Sequence, residues 1–220
     1  MAYEEWSRIV NIALRGYSVA LLLLAVFFSG CGGSFQTGGD LAQGRQAMFR
    51  GDNQAALGYF QAAAQADPTY IWGTELREGT LSFLGRAQYL DGRLAPARDT
   101  LQKALAQHKS DNLARLYLGL TVARQGDRQA GLRDIEAGLK GIRDFLNYIT
   151  TTFALSFGRF WDPGQAIRKS VDTNLAMIAK GNFDWPTLIA NSETIAMNFE
   201  QEPDNARHQE EQQSEMNRGR

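Results

Sequence analysis

Few side chains in this sequence are of the types that usually carry out chemistry. The chain has one cysteine, Cys31, and two histidines, His108 and His208. A structural zinc site needs about four Cys or His ligands, so these three separated residues do not predict one. The sequence also contains no GxSxG, no HExxH and no phosphate-binding glycine loop. We therefore expect no catalytic residues, no metal and no cofactor, and do not expect an enzyme.

The chemistry of Cys31 is indicated by what precedes it. A 12-residue apolar run, residues 17–28, follows Arg8 and Arg15. A bilayer-spanning helix needs ~20 apolar residues, whereas the core of a signal peptide needs ~7–15. The run therefore favours export over a permanent transmembrane anchor.

The run ends in Phe28-Ser29-Gly30-Cys31, which resembles the lipobox of bacterial lipoproteins, with Phe where that family usually has Leu. The resemblance implies that the Cys31 thiol receives a diacylglyceryl group and that the chain is cut between Gly30 and Cys31. Residues 1–30 would then be a signal peptide, and the lipid would be the only covalently attached group. Two alternatives are a lone buried cysteine and an ordinary signal peptide that is cut elsewhere.

Residues 31–39 are rich in glycine and predict a flexible tether that reaches ~15 Å from the membrane surface. Gly32 stands where an Asp retains enterobacterial lipoproteins in the inner membrane. Its absence predicts an anchor in the outer membrane, with the protein facing the periplasm of the cell envelope.

Small residues recur in a fixed register along residues 40–145. The first set is Gly44, Gly85 and Gly119; seven residues later come Gly51, Gly92 and Gly126, and sixteen residues after the first set come Phe60, Leu101 and Ile135. The pattern resembles the tetratricopeptide repeat, in which two antiparallel helices approach closely at small residues. The resemblance implies three units, at about 37–70, 78–111 and 112–145, with an insertion near residues 71–77.

The predicted fold is all-α: a right-handed solenoid of tandem helix-turn-helix units with additional C-terminal helices. A generic bundle of helical hairpins is the alternative. Residues 146–202 predict further helices, one over about 163–180 and one that starts at Asp184 and ends before Pro203. These helices cap the stack, or their aromatic residues form a docking patch: Phe157, Phe160, Trp161 and Trp185. Residues 203–220 are polar and predict a disordered tail.

In tetratricopeptide proteins the first helix of each unit lines a concave groove. The resemblance places eight partner-binding residues there: Arg45, Met48, Phe49, Arg86, Tyr89, Leu116, Leu120 and Arg124. Arg45 and Arg86 occupy equivalent positions and could hold a carboxylate of an acidic peptide or a free C-terminus, because arginine binds carboxylates bidentately. Alternatively, these arginines are solvated or pair with Glu75 or Glu78, or the chain's own C-terminal helices fill the groove.

The formal net charge of −1 gives no indication of a nucleic-acid partner. The sequence therefore predicts a lipid-anchored scaffold or adaptor that binds a protein or peptide partner during assembly or positioning of an envelope complex. The alternative is a small-molecule-binding accessory lipoprotein of an uptake system. The adaptor predicts an open groove, whereas the accessory protein predicts a closed pocket lined by the C-terminal aromatic residues.

Overall fold

The computed structural model describes residues 33–219, and apart from one short β-hairpin its regular structure is helical. The prediction of an all-α protein is confirmed. In chain order the elements are α1 (Gly33–Phe49), α2 (Asn53–Ala66), β1 (Ile71–Trp72), β2 (Glu78–Gly79), α3 (Thr80–Leu90), α4 (Leu94–Gln107), α5 (Asn112–Arg124), α6 (Arg128–Thr152), a 3₁₀ turn (Phe157–Phe160), α7 (Ala166–Lys180) and α8 (Trp185–Arg218).

The first six helices form three successive hairpins, α1–α2, α3–α4 and α5–α6. Each hairpin turns at a glycine that the sequence register picked out, and φ is 77° at Gly51, 79° at Gly92 and 106° at Gly126. Side chains with a Cβ rarely adopt such positive φ values, which explains why glycine occupies all three turns.

Within each hairpin a glycine of the first helix contacts the bulky residue sixteen positions later. A Cβ added at Gly44 would lie 2.4 Å from the Phe60 ring, and one at Gly85 would lie 2.6 Å from Leu101 Cγ. In the third hairpin, a Cβ at Gly119 would lie 2.5 Å from the backbone nitrogen of Ile135. The register found in the sequence therefore corresponds to three equivalent close approaches between paired helices.

The segment inserted between the first two hairpins folds as a two-stranded antiparallel ribbon. Ile71 pairs with Gly79 and Trp72 pairs with Glu78. The ribbon ends directly at α3, where the backbone N–H of Thr80 donates to the carbonyl of Tyr70 at 3.0 Å. The insertion thereby sets the position of Glu78 at the start of α3.

The expected flexible tether is wrong over residues 33–39, because helix α1 begins at Gly33. Thr37 is buried, and Gly38 lies against Tyr70 and Trp72. Tertiary packing of this kind overrides the low helix propensity of glycine. The rest of the proposed tether, the signal peptide, Gly30 and Cys31 lie outside the described residues.

Helix α7 starts at Ala166, three residues later than the expected start beside Asp162 and Pro163. Asp162 nevertheless caps this helix, because its carboxylate accepts from the backbone N–H groups of Ile167 at 3.0 Å and Arg168 at 3.2 Å. A left-handed conformation at Gln165 allows the chain to make this turn. The expected start of α8 is confirmed, since Asp184 caps it through the N–H of Thr187.

The expected disorder of residues 203–220 is wrong, because α8 continues through Pro203 to Arg218. The segment is rich in Glu, Gln and Arg, and this polar composition led to the prediction of disorder. The same residue types are good helix formers. Burial of Pro203 and Ala206 ties the middle of the helix to the protein. Beyond Gln209 the helix continues for about 14 Å, at 1.5 Å per residue, and none of these residues is buried.

The core is continuous from α3 to α8, with a smaller cluster between α1, α2 and α3. The four C-terminal aromatic residues pack against the core rather than forming an exposed patch; Trp161 is buried, and Phe157, Phe160 and Trp185 are half-buried. Residues 33–219 include no helix that combines the length and apolar character needed to cross a bilayer.

Candidate functional site

The eight residues predicted to line a groove do lie on the first helices of the three hairpins, and α8 packs beside them. Arg45, Met48 and Phe49 belong to α1, Arg86 and Tyr89 to α3, and Leu116, Leu120 and Arg124 to α5. Of the two alternatives that the sequence left open, an open groove and one filled by the C-terminal helices, the structure favours the second, because α8 contacts Arg45, Arg86 and Tyr89.

The two equivalent arginines converge on one carboxylate, that of Glu200 in α8. Arg86 Nη1 donates to Glu200 Oε2 at 2.7 Å, and Arg86 Nη2 lies 3.4 Å from Oε1. Arg45 Nε lies 3.4 Å from Glu200 Oε1. The carboxylate between Arg45 and Arg86 is therefore supplied by the same chain, in the place where an acidic peptide or a free C-terminus was expected.

Arg45 also binds the backbone of α8. Its Nη2 donates to the main-chain carbonyl of Glu200 at 3.0 Å and to Asp204 Oδ2 at 2.9 Å. Pro203 has no N–H to donate to the carbonyl of Phe199, so the helix is weakened next to this point. Arg45 therefore supplies a hydrogen bond beside a proline within a helix.

Arg86 is fully buried and has a second acidic neighbour, Glu78 of β2, whose Oε1 lies 3.1 Å from Nη2. The pairing of Arg86 with Glu78 is one of the alternatives that the sequence left open. Burial raises the pKa of Glu78 to about 8, against the lowering effect of Arg86 and with a further rise from Glu200. Burial alone would lower the pKa of Arg86, but Glu200 and Glu78 raise it above its ordinary value. The guanidinium therefore stays charged, and a proton is retained on Glu78 near neutral pH.

A second polar contact fixes the first half of α8. Tyr89 donates its hydroxyl proton to Glu193, and Arg124 lies 3.6 Å from the same carboxylate. The Arg124 guanidinium also sits 4.7 Å from the centroid of the Tyr89 ring, within the range of a cation–π interaction. Burial and then the hydrogen bond to Glu193 raise the pKa of Tyr89. Tyr89 and Arg124 are thus engaged with α8.

Leu116 and Leu120 are fully buried, so they belong to the core and do not face an open surface. Sequence reasoning included Glu78 among the possible partners of the arginines but missed Glu193 and Glu200. A signal for the two in α8 was present, because Glu193, Glu200 and Asp204 are spaced by seven and four residues and share one helix face. This acidic stripe lies beside the apolar residues of α8.

One part of the predicted groove remains uncovered. A pocket of about 370 Å³ lies between the turn that ends α1, the end of α3 and the face of α8 that carries Glu193 and Met197. Met48, Phe49 and Leu90 line it on one side and Met197 on the other, with Glu193 at its edge. Met197 is 44% exposed. Methionine adapts its shape readily and is common at binding surfaces.

Over residues 33–219, the His, Asp and Glu side chains form no group of three that could hold a metal ion. Comparison with known proteins gives no relative from which a function could be taken: no family model, no curated protein and no solved structure matches this chain.

Proposed function

We propose that this chain is a non-enzymatic, lipid-anchored scaffold whose three helical hairpins form a solenoid of the tetratricopeptide kind. The equivalent approaches of Gly44 to Phe60, Gly85 to Leu101 and Gly119 to Ile135 support that repeat assignment. Cys31 carries the lipid, cleavage falls between Gly30 and Cys31, and the protein resides at the outer membrane, facing the periplasm. In this proposal its task is to bind a protein partner during assembly or positioning of an envelope complex.

The pocket lined by Met48, Phe49 and Met197 carries the partner-binding part of this proposal. Helix α8 occupies the rest of the predicted groove through buried ion pairs and apolar contacts. A partner therefore meets the surface that α8 and α1 form together, and an apolar side chain of the partner enters the pocket. Half-exposed methionine and aromatic side chains are suited to such an anchor.

A photo-crosslinking amino acid placed at Met197 tests this function in living cells. We expect a discrete protein adduct, which Phe49→Asp abolishes by placing a charge in the pocket. The same amino acid at Tyr59, which has a similar exposure on α2, is the control and should yield no such adduct. Equal labelling from both positions, or an adduct that survives Phe49→Asp, would contradict a docking role for this pocket.

The anchor is tested independently by labelling with a palmitate analogue and fractionating the cells. The wild type is expected to carry label and to sediment with membranes, and Cys31→Ser is expected to do neither. An unlabelled, periplasmic wild type would show that Cys31 is not the anchor, without affecting the docking result.

A second candidate function, small-molecule binding for an uptake system, is favoured by one observation. The pocket of about 370 Å³ falls within the range of roughly 300–1,000 Å³ that small-molecule sites occupy. In that case Met197→Asp would abolish ligand-induced thermal stabilisation, and no protein adduct would form at position 197.

A further inference from the structure

An aromatic patch lies at the end of the protein where α1 begins. We define it by three side chains: Phe35 of α1, Tyr70 just before β1, and Trp72 of β1. Phe35 is 89% exposed, whereas Tyr70 and Trp72 are half-buried. Together with Gly38 and Gly39 they line an open depression of about 540 Å³, and all five lining residues are uncharged.

The patch is assembled by the insertion between the first two hairpins. The β-ribbon brings Tyr70 and Trp72 beside the second turn of α1, and the carbonyl of Tyr70 is held by two hydrogen bonds from Thr80. Glycine at position 38 makes this approach possible, since an added Cβ would lie 3.2 Å from the Tyr70 hydroxyl. The patch is therefore a fixed feature of the fold, built from segments more than thirty residues apart.

Its place in the chain brings the patch close to Cys31. Gly33, the first residue of α1, is two residues beyond Cys31, and Phe35 is four residues beyond it. A chain extends at most about 3.6 Å per residue, so the Cα of Phe35 lies within about 14 Å of the Cα of Cys31. A lipid on Cys31 would hold the patch at the surface of a bilayer.

Aromatic side chains of this kind favour the boundary between lipid and water. Phe contributes an apolar ring, while Tyr and Trp combine an apolar body with a polar group that can stay hydrated. Membrane attachment is also more stable when two independent signals act together. These properties, with the uncharged lining of the depression, match a lipid surface better than they match bulk water.

We propose that the aromatic patch rests in the headgroup region of the membrane and is a second attachment beside Cys31. The patch restricts how the helical domain is oriented on the bilayer. This inference rests on the proposed lipid anchor for the position of Cys31, but its contact with lipid is measured separately.

Trp72 itself reports this contact. In a Trp6→Phe, Trp161→Phe, Trp185→Phe variant, Trp72 is the only tryptophan left of the four. The full protein is purified as the cell makes it, its N-terminal group is read by mass spectrometry, and it is reconstituted into phosphatidylcholine vesicles with brominated acyl chains. If Cys31 retains a free thiol, that thiol is coupled to a maleimide lipid, which is specific because the chain has one cysteine. Cys31 is then at the bilayer in either case.

We expect bromine to quench Trp72 and expect Phe35→Ser to reduce that quenching about twofold, because it removes the most exposed ring. Leu155→Ser is the matched control: Leu155 is 98% exposed and apolar but lies after α6, and its loss should leave quenching unchanged. Unquenched Trp72 on protein that floats with the vesicles overturns the proposal, and so does equal loss in both serine variants. If Cys31 proves to carry no lipid in the cell and Trp72 is still quenched, the proposed lipid anchor is wrong and the proposed membrane contact of the aromatic patch stands.

Discussion

Among the described residues, Arg86 depends strongly on its partners for stability, because its charged guanidinium is fully buried. Removing an ion from water costs several kcal/mol unless partners replace the lost hydration. Glu200 and Glu78 supply those partners, and Arg45 shares the first of them. Removing a single partner of the ion pairs that hold α8 in place is therefore strongly destabilising, because the remaining charge stays buried without its partner.

Glu200→Gln tests this cost. It removes the charge that Arg86 and Arg45 share, so we expect the free energy of unfolding to fall by about 3–5 kcal/mol in chemical denaturation. The matched control is Glu136→Gln, which breaks the exposed pair with Lys140 and should change stability by less than about 0.5 kcal/mol. Similar effects of the two substitutions would mean that burial of the cluster does not matter.

Glu78 predicts a dependence on pH. Its pKa is raised from its ordinary value of 4.5 to about 8, so between these values the folded protein holds a proton that the unfolded chain has released. The free energy of unfolding should therefore fall as pH rises from about 5 to 8, by at most about 1.4 kcal/mol per pH unit. Above pH 8 this contribution should level off.

The charged groups that act on Glu78 are Arg86, Glu200, Asp111 and Arg45. Glu78→Gln removes the titration and keeps the shape of the side chain, so its unfolding free energy should lose this part of the slope. Denaturation curves at pH 5, 6.5 and 8 compare the two proteins. A variant with the slope of the wild type would place the proton on another group.

At the scale of elements, the glycine register was the most informative feature of the sequence. It predicted the three hairpins and their turns, because close helix approach and positive φ both require a small residue. The same reasoning placed Arg45 and Arg86 at equivalent positions. It could not identify Glu200 as the partner of these arginines, because the sequence pattern of an acidic residue on a polar helix face is the same whether that residue contacts water or a buried arginine.

Gly119→Ala tests the close approach in the third hairpin. Its Cβ would lie 2.5 Å from the backbone of Ile135, which cannot move aside as a flexible side chain does. We expect a loss of about 1–3 kcal/mol in unfolding free energy. The control is Gly58→Ala in α2, where an added Cβ meets nothing within 4 Å.

That control should stabilise the protein by about 0.5–1 kcal/mol, because alanine favours a helix over glycine. Thermal unfolding of the two variants therefore shifts in opposite directions. If both substitutions stabilise, the helices are not as closely packed as the structure indicates.

For the whole molecule, the all-α class followed from helical periodicity, but the closure of the groove by α8 did not. Composition alone indicated that residues 203–220 were too polar to fold. The start of this segment is ordered by contacts with residues distant in sequence, such as the ion pair of Asp204 with Arg45. Local composition does not indicate such contacts. The anchor residues Gly30 and Cys31 remain a prediction.

Truncation after Gln209 tests how much of α8 belongs to the folded body. Residues 210–218 are helical and none of them is buried, and Ala206 is the last buried residue. We expect the unfolding free energy to change by less than about 0.5 kcal/mol in urea. A loss above 1 kcal/mol would show that these last turns pack against the protein.

The contacts that hold α8 against the hairpins also affect when the protein can fold during its synthesis. Arg45 and Glu200 are 155 residues apart, yet they share one ion pair. A ribosome delivers Arg45 long before Glu200, and contacts so distant in sequence form slowly. Until residues 185–206 emerge, Arg86 lacks Glu200 and the groove lacks its filling helix. The nascent chain therefore stays incompletely folded while the residues between Arg86 and α8 are being synthesised, and the ion pairs form only after α8 can pack against the hairpins.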